Sequence, residues 1–82
     1  MKKLTQDEMI QIVKDLPEEV IPEGAQYYSF CKDDFHHDIS ESFERFENEW
    51  LFFFDDQWTS FGIVCAEPQD FYRIPLTVRA EL

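Results

Sequence analysis

The chain has 82 residues, enough for one small domain, and eighteen Asp and Glu against seven Lys and Arg leave a net charge of −11. That charge excludes direct binding to nucleic acid or to an anionic membrane surface, both of which need clustered cations. Aromatics at 17% and hydrophobics at 44% exclude a disordered acidic tail and supply the material of a core.

The first predicted element is a short amphipathic helix over 5–16. Thr5-Gln6-Asp7-Glu8 is a capping box, and Leu4 and Met9 stand at hydrophobic-staple positions. Met9, Ile12, Val13 and Leu16 then fall on one helical face, and Pro17 stops the helix. The connector Pro17–Gly24 carries two prolines and a terminal glycine. Gln26–Cys31 has the aromatics and the length of a strand, and Lys32–Asp38 reads as a polar loop.

A second helix is predicted from Asp38. Asp38-Ile39-Ser40-Glu41 repeats the capping pattern, and Ile39, Phe43, Phe46 and Trp50 share a helical face. On such a helix Arg45 pairs with Glu41 and Glu49, four residues to either side. From about Leu51 the aromatic run favours a strand, Asp55-Asp56-Gln57 a hairpin turn, and Trp58–Cys65 the return strand. Glu67-Pro68-Gln69-Asp70 reads as another turn. Phe71–Ala80 alternates, with Tyr72, Ile74, Leu76 and Val78 inward and Arg73, Thr77 and Arg79 outward; Pro75 marks a sheet edge or a bulge.

These elements predict an α+β fold over 1–82 as a small single domain. An antiparallel β-sheet, a C-terminal three-strand meander with an optional fourth strand near 26–31, packs on one or two helices. Cys31 and Cys65 are too few for a disulfide scaffold, and a single bridge between them is left open. The start MKKLTQDEM lacks the apolar stretch of a signal peptide, and no apolar run approaches membrane-spanning length. Cytoplasmic residence is the expectation.

Sites of chemistry are sparse. Cys31, Asp33, Asp34, His36, His37 and Asp38 are metal-ligand types, but they lack the spacing of a known metal motif, and adjacent histidines on extended chain point apart. No nucleophile elbow and no glycine-rich phosphate loop is present, and glycine occurs only at 24 and 62. The expectation is therefore no enzyme, no cofactor and no metal. The strongest local feature is acidic. Between Lys32 and Asp56, nine carboxylates against two cations leave a net −7. Glu41, Glu44 and Glu47 would line one edge of the second helix. Beside them Trp50, Phe52, Phe53, Phe54, Trp58 and Phe61 surround one hairpin, and a two-layer domain cannot bury both faces of it.

Acidic field and aromatic anchor together predict a protein-binding inhibitor, either a nucleic-acid mimic or an immunity-type protein. It would occlude a basic site on a nucleic-acid enzyme or toxin. Asp33, Asp34, Glu41, Glu44, Glu47, Glu49, Asp55 and Asp56 supply the field in this reading, and Trp58 anchors the contact. The alternative is a small structural or regulatory domain that forms a homodimer or joins a complex through the aromatic hairpin.

Overall fold

A computed structural model describes residues 4–32, 41–63 and 67–80. Helix α1 (Gln6–Asp15) begins at the Thr5 cap, where the Thr5 hydroxyl accepts from the Glu8 N–H at 3.1 Å and Glu8 accepts from the Thr5 N–H at 2.8 Å. Five strands follow: β1 (Tyr27–Cys31), β2 (Glu41–Glu47), β3 (Glu49–Phe54), β4 (Gln57–Ser60) and β5 (Phe71–Pro75). They form one antiparallel sheet in the order β4-β3-β2-β1-β5. The α+β class stands, and the strand near 26–31 lies inside the sheet, between β2 and β5.

Three expectations are corrected. The helix expected from Asp38 is strand β2 over its described part, because the chain reverses at Asn48, whose φ is 64°. Phe46 and Trp50, four apart, are cross-strand partners around that turn and not neighbours on a helix. Secondly, β5 does not follow β4 in a meander. The consecutive strands are β2, β3 and β4, and the chain then crosses to the far edge to pair with β1. Thirdly, the last two strands are shorter than expected. After β4 comes a 3-10 turn over Phe61–Ile63, and after β5 comes another over Leu76–Ala80. Pro75, which has no N–H for a ladder, closes β5 on the outer edge of the sheet.

The two faces of the sheet have different covers. On the helix face, Met9 and Val13 of α1 pack on Phe30 and Ile74, with Leu16, Tyr28, Leu76 and Val78 around them. Arg79 closes the C-terminus of α1 by donating to the carbonyl of Val13 at 2.9 Å, which also accepts from the Leu16 N–H, and to the carbonyl of Leu16 at 2.6 Å. On the opposite, crossover face, Phe61 packs between Phe52 and Phe71, with ring centroids 4.8 and 5.7 Å away. Phe61 thus marks the side on which the chain travels from β4 to β5. The hairpin turn expected at Asp55-Asp56-Gln57 is made by Asp55 and Asp56 alone, with Gln57 already in β4: both turn residues have positive φ, 55° and 64°, as a two-residue turn matching strand twist requires.

Candidate functional site

Strand alternation sorts the acidic residues. Glu41 and Glu47 of β2, Glu49 of β3 and Trp58 of β4 share the helix face, since Glu47 pairs with Glu49 and Trp58 with Phe53. Glu44 falls on the other face. It has 0% exposure and cannot meet a partner, so its place in the acidic surface is withdrawn. The spacing of three that lines a helix edge inverts the face on a strand. Asp33 and Asp34 lie outside the described residues, as do His36, His37 and Asp38. Asp55 and Asp56 are exposed at the β3–β4 turn.

Glu44 instead centres a closed site on the crossover face. Its Oε1 lies 2.5 Å from Arg73 Nε, and the Arg73 guanidinium stacks 4.1 Å from the centroid of the Trp50 ring. Arg73, expected to point outward, reaches under the crossing chain and donates to the Pro68 carbonyl at 2.8 Å. Ser29 and Ser42 are buried beside the pair, their hydroxyls 3.1 Å apart. Burial raises the pKa of the Glu44 carboxyl, and the opposing pull of Arg73 and Ser29 does not cancel it.

The helix face over β2–β4 is open by comparison. Tyr28 pairs with Phe43 and Phe53 with Trp58, while Phe43 and Phe53 flank the Glu44–Phe52 pair. Four aromatic residues therefore make a row across four strands. Tyr28 meets Phe43 and Phe53 meets Trp58 edge to face, with centroids 4.8 and 5.1 Å apart. Phe43, Phe53, Trp58 and the neighbouring Leu51 are only half-buried.

Acids flank this row on both sides, about 20 Å apart along the strands. Glu41 and the Asp55-Asp56 turn lie on one side of it; Glu47 and Glu49 lie on the other. Each glutamate is held by one donor: Tyr28 Oη to Glu41 at 2.9 Å, Arg45 Nη2 to Glu47 at 2.6 Å, and Ser60 Oγ to Glu49 at 2.9 Å. Burial and the Glu41 carboxylate push the Tyr28 hydroxyl well above its ordinary pKa, so it stays a donor. The expected pairing of Arg45 with Glu41 and Glu49 is replaced by the pair with Glu47. Arg45 also lies over Trp58, 5.6 Å from the ring centroid. Exposed pairs of this kind contribute about 0–1 kcal/mol.

Arg45, Tyr28 and Phe43 belong to this surface and were not read as site residues from the sequence, whereas Phe53 was among the hairpin aromatics expected to offer an exposed face. The signal that finds them is the cross-strand register, which needs Asn48 read as a turn. Among the described residues, no three His, Cys, Asp or Glu gather as a metal site, and no helix is long and apolar enough to cross a membrane. Cys31 is a free, half-buried thiol beside the Phe52–Phe61–Phe71 cluster. No protein-family model, curated protein or solved structure matches this chain.

Proposed function

We propose that this protein is a small acidic inhibitor, of the nucleic-acid-mimic or immunity type, acting in the cytoplasm on the basic site of a nucleic-acid enzyme or toxin. The observation that carries the reading is the shared face: Glu41, Glu47, Glu49 and Trp58 lie on one face of the sheet, with acids flanking an aromatic row on both sides. Charges at the rim steer a basic partner, and the half-buried aromatics set how long it stays. The protein does no chemistry in this reading.

The test starts with capture of a partner on the tagged protein, eluted between about 0.1 and 0.5 M salt, where exposed charges are screened. The partner's nucleic-acid-directed activity is then titrated with the protein. Stoichiometric inhibition is expected. A Glu47→Lys/Glu49→Lys double variant should associate about tenfold more slowly, as loss of steering predicts. The matched Glu18→Lys/Glu19→Lys variant, which alters exposed residues on the connector by the same charge, should change it much less. Equal effects from both variants would reduce the face to a general field.

A second reading has its own observation. Phe46 and Phe54 are about half exposed on the crossover face, which suits self-association through apolar contact. It predicts a dimer that persists at 0.5 M salt or above in sedimentation, where a charge-steered complex weakens.

A further inference from the structure

We propose that Glu47 and Trp58 form a receptor for an arginine side chain, filled in the free protein by Arg45 and given up to an arginine of the partner. This rests on the helix face being the docking surface, and it names the chemistry that the surface selects.

The chain holds three arginines, and two of them sit on its two tryptophans with a glutamate alongside. A guanidinium suits this seat because it is planar. It can stack on an indole and still donate in its own plane to a carboxylate, whereas an ammonium is a hydrated point charge. The Arg73 seat is sealed: Glu44 is fully buried, and the crossing chain takes another donor. The Arg45 seat is not. Its guanidinium stands 5.6 Å from the Trp58 centroid, near the roughly 6 Å limit of such contacts. Its partner Glu47 keeps 61% of its side chain exposed. Arg45 Nε is buried without a hydrogen-bond partner, as is Arg73 Nε, so the two seats differ in the exposure of the carboxylate and not in this atom.

One further feature holds Arg45 from behind. The connector passes against the guanidinium at Gly24, where an added Cβ would come within 2.7 Å of Nη1. Arg45 is thus placed by the fold at the mouth of its seat, with the acidic rim beyond it. An incoming guanidinium takes over the Glu47 carboxylate and the Trp58 ring, and Arg45 swings outward. The exchange replaces one cation by another, so the charge at the seat is unchanged. Such a receptor reads arginine over lysine, which charge alone does not.

The experiment titrates the full chain with hexa-arginine and hexa-lysine peptides, capped at both ends, followed by tryptophan fluorescence at about 0.15 M salt. The readout is the ratio of the two affinities, which cancels changes in net charge. The wild type should favour hexa-arginine. Arg45→Met should raise that preference about threefold or more by clearing the ring and the carboxylate. Arg45→Lys, which keeps the charge and the stem, should raise it less. Glu47→Gln should bring the ratio towards one. Thermal melts of each variant establish that the fold is retained. A ratio of one in the wild type, or one unmoved by both Arg45 variants, overturns the receptor. If the ratio is one while the Glu47→Lys/Glu49→Lys variant still loses the captured partner, the receptor fails and the docking surface stands. If neither peptide binds and both charge-reversal variants behave alike, the docking surface fails with it.

Discussion

Each face of the sheet carries a tryptophan, an arginine and a glutamate in contact, and the two trios differ in their surroundings. Trp50, Arg73 and Glu44 lie under the crossing chain, with the glutamate fully buried. Trp58, Arg45 and Glu47 use the same chemistry where water reaches the carboxylate. The first joins β2 to β5 across β1, so it belongs to the architecture. The second joins β2 to β4 across β3 at the surface and can open without disturbing the core. Identical residue types thus serve as a tie or as a seat, according to burial alone.

The largest test of that contrast is deletion of each carboxylate. Glu44→Ala leaves Arg73 buried without its counter-ion and should cost about 3–5 kcal/mol in urea denaturation. Glu47→Ala should cost under about 1 kcal/mol. Comparable losses would erase the distinction. Replacing both partners of the buried pair, Glu44→Leu with Arg73→Met, should restore much of the stability, since no charge is then left stranded.

A second substitution separates the trios from the other side. Gly24 has a φ of 90°, and Arg45 stands where its side chain would grow. Gly24→Ala should cost about 1–2 kcal/mol, the order of the left-handed penalty for an ordinary residue. It should also push the Arg45 guanidinium off Trp58. Trp58 fluorescence should change in that variant, read in a Trp50→Phe background, while the Glu44–Arg73 pair remains.

The smallest effect is one of pH. Burial raises the Glu44 pKa above that of the unfolded chain, so the folded state binds this proton more tightly. Its contribution to stability is fully present below the unfolded carboxyl value and is lost as pH rises through the raised folded value. Relative to Glu44→Gln, the wild type should therefore gain stability as pH falls from 7 towards 4. A difference that moves the other way would mean that the Arg73 attraction outweighs burial.

The sequence announced some of this and hid the rest. The Thr5–Glu8 box and the apolar spacing from Met9 placed α1 to within a residue at each end. The Asp55-Asp56 turn placed the β3–β4 hairpin. Strand β2 was hidden for a physical reason. Its crossover face begins with Ser42 and Glu44, polar residues that the fold buries, so its alternation does not read as apolar against polar. The spacing of Phe46 and Trp50 fits one helical turn or a hairpin closed at Asn48, and only the φ of 64° at Asn48 decides. Of the candidate site, Glu41, Glu47, Glu49 and Trp58 were legible because charge and aromatic anchors are visible in composition. Glu44 was misassigned because burial is a property of the register. Arg45 was read as a link between glutamates, and its seat on Trp58 arises only when β4 folds back beside β3.

The crossing of the chain from one sheet edge to the other also sets an order of events in time. Strands β2, β3 and β4 are joined by tight turns and can zip on the microsecond scale of hairpins. Strand β5 pairs with β1, whose residues lie forty or more places earlier, as Cys31 with Phe71. That slow loop closure falls last, and until it happens the Glu44 carboxylate stays in water. Docking β5 is therefore the step that strips the charge of its solvent and supplies Arg73 in the same movement. In native-state hydrogen exchange, the β1–β5 amides should open before those of β2 and β3, making the far edge the place where unfolding starts.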